Sequence, residues 1–130
     1  MTLKSPPGTI VQRLSADPAN LTGVRRSVRE QLRAWGRADL AEAAALCVTE
    51  ILTNVHRHAG SPECELTLDR LPGGIVRVAV GDRSPVLPVK APAPDWTAER
   101  GRGLHLIAAT AYRWGATPTA SGKQVWVELR

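Results

Sequence analysis

The sequence predicts an α+β fold, a two-layer sandwich in which helices cover one face of a mixed, mostly antiparallel sheet. Three observations carry that expectation. Two long segments place apolar residues at steps of three and four, the period of a helix face. Several short segments alternate or cluster apolar residues between Gly, Pro and Ser turns, as strands do. The resulting order, β-α-α-β-β-loop-α-β-β, sets the helices apart from the strands rather than alternating with them.

Thr9 to Leu14 reads as the first strand. Asp17-Pro18 supplies a helix start, with Asp as N-cap and Pro at the first position, where its missing N–H costs nothing. Leu21, Val24, Val28, Leu32 and Trp35 then mark one helix face, with Arg25, Arg26, Arg29, Glu30 and Arg33 opposite and Gly36 as the stop. A second helix is expected from Ala38 to Ala59, with an apolar stripe of Ala44, Val48, Ile51, Leu52, Val55 and Ala59; Gly60-Ser61-Pro62 ends it. Glu63 to Arg70 and Ile75 to Val80 read as strands around the turn Leu71-Pro72-Gly73-Gly74. From Arg83 to Arg100 no period survives and four prolines intervene. So long a loop in a compact domain is usually a lid or a binding loop. A third helix is expected over Leu104–Ala111, then strands at Tyr112–Ala116 and Gln124–Leu129 around Ser121-Gly122.

The 130 residues, 43% of them hydrophobic, suit one domain spanning 1–130 that buries roughly two-thirds of its unfolded surface without staples. Met1 to Ile10 lacks an apolar signal core, and no run approaches the roughly 18 apolar residues of a membrane span. The expectation is a cytoplasmic protein with no membrane partner. Cys47 and Cys64 lack CxxC spacing, which argues against a metal knuckle and for two buried thiols. The net charge of +5, with fourteen Arg, attracts acidic partners or phosphate-bearing ligands. No nucleic-acid recognition motif accompanies it, and aromatic residues for base stacking are few.

Three short patterns can carry chemistry. Glu50, Asn54 and His58 are spaced four apart, so they drift by only about 40° per step and share a helix edge beside the apolar stripe. A carboxylate and an amide one turn apart can hold a water or a metal ion against a phosphate chain, although a polar helix flank looks the same. Asp82 follows the strongest strand and can accept from an exocyclic amine, although Asp also favours plain strand-end turns. Gly101-Arg102-Gly103-Leu104 opens a helix, where free N–H groups and the dipole suit phosphate. Neither GxxxxGK[ST] nor GxGxxG is present. His56 and His58, two apart on a helix, do not face one metal, and Ser84 has no nucleophile context.

Taken together and in this order, the patterns resemble those of the anti-sigma factor/serine-kinase family of Bergerat-fold (GHKL) ATPases. Glu50-Ile-Leu-Thr-Asn54-Val-His-Arg-His58-Ala59 is similar to the N box, and Val80-Gly81-Asp82-Arg83-Ser84-Pro85 to the G1 segment in its DxSP form. Gly101 to Ile107 resembles the G2 lid hinge, while Trp114-Gly115 and Gly122 to Leu129 resemble the closing strands. The resemblance covers about Ile10 to Arg130. It implies ATP and Mg²⁺ as cofactors, with Asn54 ligating magnesium, Glu50 as general base and His58 facing the phosphates. Asp82 would bind the adenine amine, and the backbone of Gly101, Arg102, Gly103 and Leu104 would hold the phosphates.

It further implies a sigma factor and an anti-anti-sigma protein as partners, a serine of the latter being phosphorylated, and it allows a homodimer. Two departures stand out. Ser84 replaces a glycine of the commoner DxGxG form, and Gln124 replaces a Thr near the adenine-bound water. They favour the alternative of a regulatory module that binds nucleotide or partner without transferring phosphate. A histidine-kinase catalytic piece fits less well, since the chain shows no phosphoacceptor hairpin.

Overall fold

The computed structural model describes residues 8–58, 61–82, 110–120 and 122–130. They form β1 (Thr9–Ser15), α1 (Leu21–Ala34), α2 (Ala41–His58), β2 (Glu63–Leu71), β3 (Ile75–Asp82), β4 (Arg113–Thr119) and β5 (Gly122–Leu129), with 3₁₀ turns at Pro18–Asn20, Ala38–Leu40 and Pro72–Gly74. The loop predicted over Arg83–Arg100 and the hinge residues Gly101, Arg102, Gly103 and Leu104 lie outside the described residues, as does nearly all of the third predicted helix.

Both helix starts shift by a turn. Asp17 does act as a cap, its Oδ1 accepting from the Ala19 N–H at 2.8 Å, but the turn it caps is the 3₁₀ piece that leads into α1. The three residues from Ala38 likewise form a 3₁₀ turn, and α2 proper begins at Ala41. Tight turns of this kind are common at helix entrances. Val24, Val28 and Leu32 bury the predicted face of α1, with Leu21 and Trp35 packed at its edges. Gly36 ends it at φ 77° and donates to the Arg33 carbonyl at 2.9 Å, a left-handed stop that glycine adopts without steric cost. On α2, Ala44, Cys47, Val48, Ile51, Leu52 and Val55 are buried.

The sheet order is β1-β2-β3-β5-β4, and every pairing among the described strands is antiparallel. Alternation sends Cys64, Leu66 and Leu68 of β2, Val76, Val78 and Val80 of β3, and Val125, Val127 and Leu129 of β5 into one core with the helices, as a half-covered antiparallel sheet requires. The opposite face is polar at its rim: Arg113 donates to Glu128 at 2.8 Å, and Arg77 lies over the Trp126 ring at 4.9 Å. β3 runs two residues past the predicted Val80, and β5 starts two residues before Gln124. Pro118 sits in β4, the edge strand of the described sheet, a position where proline is tolerated.

Candidate functional site

The two extra residues of β3 decide where Asp82 lies. Side chains alternate along a strand, so Asp82 follows Val76, Val78 and Val80 onto the helix-facing side, where it is only 3% exposed. Its neighbours across the sheet are Cys64 on β2 and Lys123 on β5. A buried carboxylate is costly unless paired; here the Lys123 ammonium donates to Asp82 Oδ2, with 13% of the lysine side chain exposed. Gly122 makes the approach possible, because a Cβ there would lie 2.3 Å from the Asp82 carbonyl oxygen. Burial, and then the charge of Asp82, pushes the Cys64 thiol up to about 11.

A cleft of about 690 Å³ opens at this end of the sheet, within the roughly 300–1,000 Å³ usual for small-molecule sites. Among the described residues it is lined from the core side by Leu14, Cys64 and Asp82, and from the other side by Arg13, Glu65, Gly81 and Gln124. The register explains that division. Gln124 pairs with Gly81 and Lys123 with Asp82, so the residue opposite the carboxylate is Lys123, and Gln124 belongs to the other face. The substitution at 124 therefore leaves Asp82's cross-strand position untouched.

On α2, Asn54 is buried at 8% exposure and Glu50 is partly buried one turn earlier. Asn54 thus joins the buried side of the helix instead of a solvated flank. Burial pushes the Cys47 thiol up to about 12, and the Glu50 charge three residues on adds to the shift. His58 is the last residue of α2. Glu50 and Asn54 do not line the cleft that Asp82 lines; the pair the fold brings into contact is Asp82 and Lys123.

These residues fit a nucleotide with magnesium. An amide oxygen and a carboxylate are the hard oxygen donors that Mg²⁺ takes. The described residues hold no cluster of three or more His, Cys, Asp or Glu that could cage a metal. Lys123 is the residue that pattern reading missed. Counting back in twos from Leu129, Val127 and Val125 reaches it on the core face, so the signal was present in β5.

A model of the histidine kinase-like ATPase domain matches residues 14–129, nearly the whole chain. The chain belongs to the histidine kinase-like ATPase family. The match begins within β1 and ends at the last residue of β5, so it takes in β2 to β5 and the two described helices. An uncharacterized protein of Streptomyces coelicolor, SCO4941, is 40% identical over 84 residues, covering 62% of this chain and 79% of that protein. The ATPase domain is accordingly an ATP-binding module of the GHKL type. No helix among its described residues is long and apolar enough to cross a membrane.

Proposed function

We propose that this ATPase domain is an anti-sigma regulator in the cytoplasm that phosphorylates a serine of a small anti-anti-sigma partner. The observation that carries the reading is the pairing on α2 of a carboxylate with a buried amide one turn on, Glu50 and Asn54. Asn54 would hold Mg²⁺, which supplies charge neutralisation along the phosphates. Asp82 would accept from the adenine amine, and the resemblance assigns the phosphate chain to His58 and to the backbone of Gly101, Arg102, Gly103 and Leu104. Glu50 takes the proton of the partner's serine hydroxyl as that oxygen bonds to the terminal phosphorus. The bond to the bridging oxygen breaks and ADP leaves. Positioning and electrostatics then supply most of the rate.

The two α2 residues are tested by substitutions that differ in kind. Glu50→Ala lowers phosphate transfer by about 10²–10⁴-fold and leaves ATP affinity within about threefold, since a general base acts on the proton in flight. Asn54→Ala lowers both, because magnesium bridges the phosphates in the ground state too. Binding is read by titration and transfer by labelled ATP against anti-anti-sigma proteins of the same genome. A wild type that binds ATP and labels none of them is a binding module without kinase activity.

A further inference from the structure

We infer that Lys123 reads the adenine ring, donating to its N1 while Asp82 accepts from its 6-amine. The inference rests on the reading of Asp82 as the adenine acceptor and adds a residue that the reading does not include. Lys123 stands directly across the ladder from Asp82, and its ammonium donates to Oδ2. It is held there: the residue before it, Gly122, admits no Cβ without striking the Asp82 carbonyl, so strand and carboxylate are fitted to each other. An ammonium carries three donors and spends one on the carboxylate, while a carboxylate accepts from several donors at once. In contact, the two groups present an acceptor beside a donor. The Watson–Crick edge of adenine is the complement, a donor amine beside the acceptor N1.

Among the described residues, few other candidates for N1 adjoin Asp82. Cys64, the cross-strand neighbour of Asp82 on β2, is a thiol, a weak donor, and its sulfur already lies 3.7 Å from the Leu14 carbonyl. Gln124, which has a good donor amide, faces the other side of the sheet across from Gly81. Lys123 is therefore the strong donor that the described sheet end sets beside the carboxylate. Its charge makes the contact stronger than a neutral one, and 13% of its side chain is exposed.

The test compares ATP with 1-deaza-ATP, which lacks the N1 acceptor and keeps the amine. Wild type should bind the analogue at least about tenfold more weakly, the usual effect of losing a hydrogen bond to a charged group. Lys123→Met should bind the two within about twofold of each other, its ATP affinity having fallen toward that of the analogue. A Lys123→Met variant that still discriminates tenfold, or that binds ATP more tightly than wild type, overturns the inference while the adenine reading of Asp82 stands. Failure of wild type to bind ATP removes that reading, and the inference with it.

A second measurement needs no change at position 123. The chain has three lysines, Lys4, Lys90 and Lys123, so a spectrum of ¹⁵Nζ-labelled lysine is simple, and Lys4→Arg and Lys90→Arg assign it. ATP should shift the Lys123 resonance and 1-deaza-ATP should not. Equal shifts with both nucleotides contradict the contact.

Discussion

Asp82 and Lys123 hold opposite charges in a site that would tolerate neither alone. Breaking a buried pair by removing one partner leaves the other uncompensated, at about 3–5 kcal/mol when burial is complete. Because Lys123 retains some exposure, we expect Asp82→Asn to cost about 1–3 kcal/mol of stability in urea unfolding, with a loss of ATP affinity of similar size. The double variant Asp82→Asn/Lys123→Met should recover stability and not affinity. Recovery of both would remove Asp82 from the nucleotide site. The cysteines give a second prediction at this scale. Both thiols titrate above their ordinary value near 9, Cys47 at about 12 and Cys64 at about 11, chiefly through burial. The folded state therefore holds their protons more tightly than the unfolded chain. Their contribution to stability is complete below about pH 9 and is lost as pH rises from 9 through 11 to 12. Unfolding measured across that window should show a falling stability, with a shallower slope in Cys47→Ala. An unchanged slope would mean that Cys47 is not protected by the fold.

Two glycines separate what strands need from what helices need. Gly122→Ala places a methyl 2.3 Å from the Asp82 carbonyl oxygen, so β3 and β5 must part at the sheet end. The expected cost is about 1–3 kcal/mol, together with weaker ATP binding. Gly23 lies in α1 with nothing within 4 Å of a Cβ, and Gly23→Ala should stabilise by about 0.5–1 kcal/mol. Thermal unfolding checks both; a tolerated Gly122→Ala would contradict the close approach. The elements themselves were largely legible. The amphipathic faces of α1 and α2 and the alternation in β2, β3 and β5 follow from a one-sided core, and a single chain records that constraint as periodicity. Their ends were less so. Asp82 and Lys123 are charged, so an apolar pattern stops short of them; the alternation of β5 reaches Lys123 only when it is carried past Val125, and the ladder shows that both lie within strands. The 3₁₀ entrances to α1 and α2 keep a helix-like pattern while changing the hydrogen bonding, so caps alone did not reveal them. The burial of Asn54 was also hidden, since helix spacing places it at the margin of the stripe and only packing decides on which side of the margin it falls.

At the scale of the molecule, the described residues form a five-stranded antiparallel sheet with two helices on one face, and the Asp82–Lys123 pair and the cleft lie at one end of the sheet. The family match to a histidine kinase-like ATPase domain spans the same elements, and a net charge of +5 favours an anionic ligand at a distance. Folded state and nucleotide should consequently be linked: MgATP at about 100 times its Kd should raise stability by about 2.7 kcal/mol. A calorimetric titration of the wild-type chain with MgATP decides whether the domain binds nucleotide. Saturable binding that weakens when Asp82 is replaced by Asn is the expected result. A correctly folded wild type that takes up no MgATP would contradict it.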